Sequence, residues 1–270
     1  MIGWDRLFVG RRFRVLNRLD NEWVETCCRQ SVANNPNQVL VVHDGGFNVT
    51  RQLISQFNTF QHISDSLFNA CVRLYRVREG LIEDAYLQSN RMRRPNRYYV
   101  ADLLFIEKLL QNDIDGAIAS IQQPEEYSKF IIPILKDSKY RMILVDKLSK
   151  SIKIFDPFLN TSMPPPHEYD SEGDVQLYAR VVMQFLQTAG IILNAEDHSW
   201  LSEYPSYLFP SYVELVQYYE PVTSDCDSGV YVLTAIDYIC NDVPCIFFVN
   251  NIPHMRILLA RQVLVQKFPV

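Results

Sequence analysis

Three closely spaced strands are predicted by residues 129–156, which read KFIIPILKDSKYRMILVDKLSKSIKIFD. Lys129 to Leu135 and Tyr140 to Asp146 are largely apolar runs, and Ser151 to Asp156 alternates apolar and polar side chains. Runs of this length, separated by short polar turns, are typical of consecutive antiparallel strands. The stretch therefore predicts an antiparallel meander.

Helical periodicity lies on both sides of this meander. Upstream, apolar side chains recur at helical spacing from Asp65 to Arg78 behind a capping Ser64, and Tyr98 to Leu110 is interpreted as a further helix. Downstream, Gly229 to Asp242 and His254 to Gln266 are also predicted to be helical. Helices before and after a strand cluster indicate an α+β fold, with a central antiparallel or mixed sheet flanked by helices.

The composition excludes several classes of protein. The 270 residues are 48% hydrophobic and 21% charged, with a formal net charge of −5, which argues against general nucleic-acid binding. No apolar stretch reaches the roughly 18 residues of a membrane span. The six cysteines form neither a CxxC pair nor a His/Cys cluster at zinc spacing, so we expect no metal and no cofactor. Reduced thiols predict an intracellular protein, cytoplasmic or nuclear.

Three sequence motifs are informative because of the order in which they occur along the chain. They are ISDSLFNA (residues 63–70), a strand pair that starts at Lys139 and ends 17 residues later at Asp156, and DCDSGVYVL (residues 225–233) at a predicted helix start. In this order they resemble the SUMO-specific (sentrin-specific) family of papain-like cysteine proteases. The resemblance implies a papain-like fold of the ubiquitin-like-protease type over residues 49–270, and it leaves residues 1–48 as an N-terminal extension of uncertain role.

The catalytic positions that this resemblance implies carry altered residues. Without gaps, Lys139 stands at the His position, Tyr140 at the following Trp position, and Ser228 at the position of the nucleophilic Cys. Asp156 is kept at the acid position, whereas Val222 replaces the Gln of the oxyanion position. A lysine that is charged near neutral pH is not a base, and a serine hydroxyl needs a base for activation. The resemblance therefore implies a degenerate site, in which Lys139 and Asp156 are hypothesised to pair as a remnant of the His–Asp contact.

A second register remains open. The run EPVTSDC (residues 220–226) resembles the family's Gln-Pro-x-x-x-Asp-Cys segment, which would make Cys226 the nucleophile and put Glu220 at the oxyanion position. Asp225 and Asp227 on either side would disfavour a thiolate, so an unreactive loop cysteine is the expectation. Ser228 is expected to cap the helix that follows.

The combined interpretation is a pseudoprotease that serves as a protein-interaction or scaffold module. Its predicted partner is a protein, either a ubiquitin-like modifier or a subunit of a complex. One alternative is an active deSUMOylating or deubiquitinating-type protease, or a Ser-Lys hydrolase, with a rearranged site that uses Cys226 or Ser228. The other alternative is a structural subunit of an assembly, which the aromatic-rich segment from Trp200 to Tyr219 suggests.

Overall fold

The structure of the chain is a computed structural model. The structure describes residues 35–43, 47–57, 61–90, 96–157, 171–191, 206–207, 225–242 and 251–265.

A short hairpin opens the described part of the chain. Strands β1 (Val39–His43) and β2 (Phe47–Thr50) pair antiparallel and lead directly into helix α1 (Arg51–Ser55). The Thr50 hydroxyl accepts a hydrogen bond from the Leu53 amide at 3.2 Å, which satisfies one of the free donors at the start of α1. Val49 of β2 is fully buried, so the hairpin belongs to the packed core.

A five-stranded mixed sheet forms the centre of the molecule. Its order is β3-β4-β5-β6-β7. The two outer pairs, β3/β4 and β6/β7, are parallel, and the inner strands β4, β5 and β6 pair antiparallel. The strands are β3 (Tyr98–Val100), β4 (Lys129–Lys136), β5 (Lys139–Asp146), β6 (Ser151–Phe155) and β7 (Ser206–Tyr207). The predicted meander is therefore confirmed.

The interpretation of Tyr98 to Leu110 as one helix is wrong at its first residues. Tyr98–Val100 form the edge strand β3, whose three side chains are all buried, and the helix begins only at Leu103. Asp102 causes this division, because its carboxylate accepts a hydrogen bond from the Phe105 amide at 3.1 Å and caps the new helix. A buried strand and a buried helix segment carry similar apolar runs, which is why periodicity did not separate them.

The helices lie before, between and after the strands of the main sheet in the chain, and they cover both of its faces. Besides α1 they are α2 (Asp65–Asn90), α3 (Leu103–Leu110), α4 (Ile114–Ala119), α5 (Ser171–Thr188), α6 (Ser228–Cys240) and α7 (Ile252–Val265). Single 3-10 turns lie at Pro124–Glu126 and Asp225–Asp227. No helix in the described ranges combines the length and the hydropathy needed to cross a bilayer.

Two hydrophobic cores lie on opposite faces of the sheet. Tyr140, Met142 and Leu144 of β5 pack with α2, α6 and α7 in one core, whereas Ile143 and Val145 pack with α3, α4 and α5 in the other. This division follows the period-two alternation of side chains along a strand. The result is a helix–sheet–helix sandwich, and the predicted α+β class with a flanked mixed sheet is confirmed.

Helix α6 is the central helix of the first core. All thirteen of its residues are buried, and it contacts β5, α2 and α7. Its N-terminus therefore lies against the start of β5, where two of the sequence motifs meet.

Candidate functional site

The start of α6 and the start of β5 are joined by a hydrogen bond. The Ser228 hydroxyl accepts it from the Tyr140 amide at 3.1 Å, and Ser228 has no exposed surface. Ser228 is the first residue of the helix rather than its cap. Asp227 occupies the cap position, although its carboxylate makes no capping hydrogen bond to the helix. The expectation that Ser228 caps α6 is therefore wrong, because its hydroxyl is directed to the neighbouring strand.

Arg256 of α7 explains why Asp227 does not cap the helix. Its guanidinium donates to the Asp227 carboxylate from Nε at 3.2 Å and from Nη2 at 2.6 Å. It also donates to the carbonyl of Cys226 at 2.8 Å and to the carbonyl of Gln56 at 3.0 Å. Only 1% of the Arg256 surface is exposed. One buried arginine thus holds the turn Asp225–Asp227 against α1 and α7.

Cys226 lies in this turn, two residues before the first residue of α6. It is half-buried and is not in a disulfide, and its backbone carbonyl is held by Arg256. The negative charge of Asp227 is compensated by the same guanidinium.

The Tyr140 side chain packs beside the start of α6. Its ring stacks on Phe68 with centroids 4.5 Å apart, and its hydroxyl donates to the Ile63 carbonyl at 2.7 Å. Gly229 faces this ring so closely that a Cβ there would lie 3.1 Å from the Tyr140 Cδ2 atom. Burial, and secondarily the nearby Asp65 carboxylate, raise the pKa of the Tyr140 phenol. The phenol therefore stays protonated and acts as a structural donor.

His62 completes this aromatic stack on its outer side. Its ring lies 5.4 Å from the Tyr140 ring, centroid to centroid, and its Nε2 atom is 2.9 Å from the Ser138 carbonyl. A carbonyl is only an acceptor, so the Nε2 atom of His62 carries a proton and donates it to this carbonyl. His62 is thus an imidazole beside the position that the resemblance assigns to the catalytic His.

Asp156, at the implied acid position, has an arginine as its partner. The Arg141 Nε atom donates to Asp156 Oδ2 at 2.6 Å, and both side chains are largely buried. The sheet register explains this pairing, because Met142 lies opposite Phe155 and the next residues outward are Arg141 and Asp156. Lys139 is two residues further along β5, where it lies opposite Lys136. The proposed pair between Lys139 and Asp156 stays a hypothesis.

The described residues therefore bring some of the predicted site together. Lys139 directly precedes Tyr140, whose amide is bonded to the Ser228 hydroxyl. Cys226 lies in the turn just before α6, two residues ahead of Ser228. Val222 and Glu220, the two candidates for the oxyanion position, lie outside the described residues. The described ranges hold no group of three His, Cys, Asp or Glu side chains placed to bind a metal ion.

Sequence reasoning missed Arg256, Arg141 and His62. The importance of Arg256 could have been predicted from one feature of the sequence, because this arginine lies between Met255 and Ile257 in a largely apolar segment. A charged residue on a buried face is expected to be paired. Arg141 and His62 carried no such signal, since their roles depend on which strand and helix ends meet.

This arrangement defines a fold: a mixed sheet with a buried helix packed against its central strand β5, of the papain-like, ubiquitin-like-protease type. The chain is similar to the C-terminal Ulp1 protease domain solved in complex with Smt3, the yeast ortholog of SUMO. The TM-score is 0.68 at 16% identity, covering 94% of this chain and 97% of that chain.

Two further solved structures show the same likeness. A SUMO protease Ulp1 with its catalytic cysteine oxidized to a sulfonic acid gives a TM-score of 0.67 at 16% identity, over 93% of this chain and 97% of that one. The Ulp1-like SUMO protease catalytic domain of Chaetomium thermophilum gives 0.65 at 14% identity, over 97% and 94%. Likeness at such identities establishes the fold. Neither the models of protein families nor the curated proteins contain a match to the chain.

Proposed function

We propose that this chain is a catalytically inactive relative of the SUMO-specific proteases and acts as a protein-interaction module. The observation that carries the proposal is the state of Ser228. Its hydroxyl has no exposed surface and accepts a hydrogen bond from a backbone amide. A nucleophile has to reach the substrate and needs a base within hydrogen-bond distance. A buried serine in this bond serves instead to join α6 to β5.

The ion pair at the acid position supports the same proposal. An acid in a catalytic triad orients a histidine and stabilises the imidazolium that forms. The Asp156 carboxylate is instead engaged by Arg141. A guanidinium stays protonated in proteins and cannot take a proton from a nucleophile. The ion pair therefore stabilises the end of the β5–β6 pair of strands and takes no part in proton transfer.

The intact framework favours a role in binding. Two hydrophobic cores are packed on the five strands that the structure describes, although the catalytic positions implied by the resemblance carry altered residues. A Ulp1 domain of the same fold has been solved with Smt3, so ubiquitin-like modifiers are the first partners to test for this chain. A subunit of a complex is the other partner class that we propose.

A direct assay tests the absence of activity. The chain is incubated with SUMO and ubiquitin precursors and with electrophilic probes directed by the modifier tail, beside an active Ulp1 domain. We expect neither cleavage nor labelling, and we expect micromolar binding of a modifier or another protein partner by calorimetry. Cleavage that disappears in Ser228→Ala or in Cys226→Ala, while the variant stays folded, would overturn the proposal.

The surroundings of Cys226 favour a second candidate, a cysteine hydrolase that uses this residue. Cys226 is half-buried, and its backbone carbonyl accepts a hydrogen bond from the Arg256 guanidinium. His62 stacks on Tyr140, whose amide is bonded to Ser228, two residues after Cys226. Cationic neighbours and an imidazole are what a reactive thiolate requires. If this candidate is correct, labelling is lost in both Cys226→Ala and His62→Ala and kept in Ser228→Ala. Labelling lost in Ser228→Ala alone would point to the Ser-Lys hydrolase.

The location of the protein is also a proposal. Two cysteines in the described ranges, Cys71 and Cys226, are free thiols, which suits a reducing compartment, cytoplasmic or nuclear. A fluorescent fusion observed in cells tests this, and a secreted fusion would contradict it. The aromatic segment that suggested an assembly subunit lies outside the described residues except for Ser206–Tyr207, so that alternative stays a hypothesis.

A further inference from the structure

A stripe of exposed residues runs along the outer side of helix α2. The inner side of this helix packs against α6, α7 and β3. The exposed residues of the outer side that concern us are Arg73, Val77, Gly80, Leu81 and Asp84, which we call the α2 stripe. They follow one another at intervals of three or four residues, apart from the neighbours Gly80 and Leu81, so they lie on one side of the helix.

The middle of the α2 stripe is apolar and open. Val77 is 52% exposed and Leu81 is 42% exposed. Gly80, between them, has nothing within 4 Å of the position that a Cβ atom would occupy. A second helix has room to approach closely at this point, and its contact would remove both apolar side chains from water.

The two ends of the α2 stripe carry opposite charges. Arg73 lies at one end and Asp84 at the other, and both side chains are exposed. Neither forms an ion pair within the part of the chain that the structure describes. The Arg73 guanidinium lies above the Phe47 ring, 5.8 Å from its centre, and remains accessible from solvent. Both charges are therefore open to a partner.

The α2 stripe is complementary to a second copy of itself in the reverse direction. When two such helices pack antiparallel with the two-fold axis between residues 78 and 79, Arg73 of each copy lies opposite Asp84 of the other copy. The same arrangement places Val77 of each copy opposite Gly80 and Leu81 of the other copy. The contact then has two identical ion pairs around an apolar centre, which is the self-complementarity that a two-fold symmetric interface needs.

We propose that two copies of this chain associate through the α2 stripe as an antiparallel, two-fold symmetric pair of helices. Arg73 and Asp84 are 11 residues apart, so the contact extends over about three turns, or about 16 Å of helix. A contact of this length is smaller than the roughly 800 Å² per partner of a standard interface. The association is therefore weak, with a Kd on the order of 100 μM.

This inference goes beyond the proposed function. The α2 stripe shares no residue with the candidate site at the start of α6, and the cleavage and labelling assays do not measure association between copies. Failure of one proposal therefore leaves the other intact.

Sedimentation velocity of the whole chain, from about 5 μM to about 1 mM, tests the association. We expect the weight-average sedimentation coefficient to rise reversibly from the monomer towards the dimer. Leu81→Glu places a charge in the apolar centre and should weaken the dimer at least about tenfold. Leu104→Glu on α3 is the matched control, because Leu104 is 58% exposed and lies outside the α2 stripe, so the Kd should not change.

Charge reversal tests the direction of the helix pair. Arg73→Glu brings two negative charges together at each end of the contact, and Asp84→Arg brings two positive charges together. Each variant alone should therefore dimerise about tenfold more weakly than the wild type or worse. In an equimolar mixture of the two variants, opposite charges face each other again at both ends, so the mixed dimer should form with about the affinity of the wild type.

Three outcomes would overturn the proposal. The first is a wild-type chain that stays monomeric at about 1 mM, which would leave the α2 stripe to a different protein. The second is an equal effect of Leu81→Glu and Leu104→Glu. The third is a mixture of Arg73→Glu and Asp84→Arg that associates no more tightly than either variant alone. Thermal unfolding by circular dichroism checks that each variant is folded.

Discussion

At the scale of the residue, Arg256 is the side chain on which the site depends most. It bonds to Asp227 and to the carbonyls of Cys226 and Gln56, so its removal leaves a carboxylate and two carbonyls without their donor. We predict that Arg256→Met lowers the free energy of unfolding by about 3–5 kcal/mol, as expected when one partner of a buried ion pair is lost. Denaturant unfolding followed by circular dichroism measures this change.

The control for this prediction is Arg180→Met on α5. Arg180 is exposed, so its replacement should change stability by no more than about 0.5 kcal/mol. Equal effects of the two substitutions would mean that Arg256 does not hold the turn before α6.

Ser228 supports a second prediction at the same scale. Ser228→Ala leaves the buried amide of Tyr140 without its acceptor, and we expect a loss of about 1–3 kcal/mol in stability. Thr234→Ala is the matched control on α6, because the Thr234 hydroxyl only donates to the Val230 carbonyl one turn earlier, and it should cost about 1 kcal/mol or less. A Ser228→Ala variant as stable as the wild type would show that this bond contributes nothing.

At the scale of the element, the close approach of α6 to β5 can be tested with two glycines. Glycine-to-alanine changes within helices normally stabilise by up to about 1 kcal/mol. Gly80→Ala on α2 should follow this rule, since nothing lies within 4 Å of the added Cβ. Gly229→Ala on α6 should be neutral or destabilising, because its Cβ would lie 3.1 Å from a Tyr140 ring that is stacked on Phe68.

Thermal unfolding of the two variants side by side measures this difference. We expect the melting temperature of Gly80→Ala to lie above that of the wild type and that of Gly229→Ala to lie at or below it. A stabilising effect of the same size in both variants would show that helix α6 can move away from β5.

At the scale of the whole molecule, buried acids predict a loss of stability at alkaline pH. Burial raises the pKa of the Cys71 thiol. Burial and then the Asp237 carboxylate raise the pKa of Tyr75, and burial with Asp65 raises that of Tyr140. Their unfolded values are about 8.5 for cysteine and about 10 for tyrosine. Because the native pKa values are the higher ones, the stability from these groups is complete below the unfolded values and is lost as the pH rises above them.

Urea unfolding between about pH 7 and about pH 11 tests this prediction. We expect the free energy of unfolding to be constant at first, to fall above about pH 8.5 and to fall more steeply above about pH 10, by up to about 1.4 kcal/mol per pH unit for each group. The urea midpoint should fall with it. Tyr140→Phe removes one of these groups, so the free energy of unfolding should fall less steeply with pH above about pH 10 in this variant. A midpoint that stays constant across the range would contradict the prediction.

Much of the fold could be predicted from local pattern. The meander of β4, β5 and β6 followed from apolar runs with polar turns, and the helices α2 and α6 followed from periodicity. Strand β3 was missed, because three buried residues ahead of a capped helix look like its first turn. The prediction that Ser228 caps α6 was wrong for a related reason. Capping rules consider only nearby residues, whereas the Ser228 hydroxyl accepts a hydrogen bond from the Tyr140 amide, which is distant in the sequence.

The residue types and their spacing were enough to predict the α+β class, the order of the main strands and helices and, in the register without gaps, Lys139 and Ser228 at the positions where the resemblance implies His and Cys. These properties depend on residue type and on spacing along the chain. Only the tertiary structure decided that Asp227 bonds to Arg256, that Asp156 bonds to Arg141, and that the Ser228 hydroxyl is buried. Each of these features depends on residues from different elements, which meet only in the folded chain. Local sequence propensity therefore does not predict these features. They follow from the register of β5 against β6 and from the packing of α6 against α7.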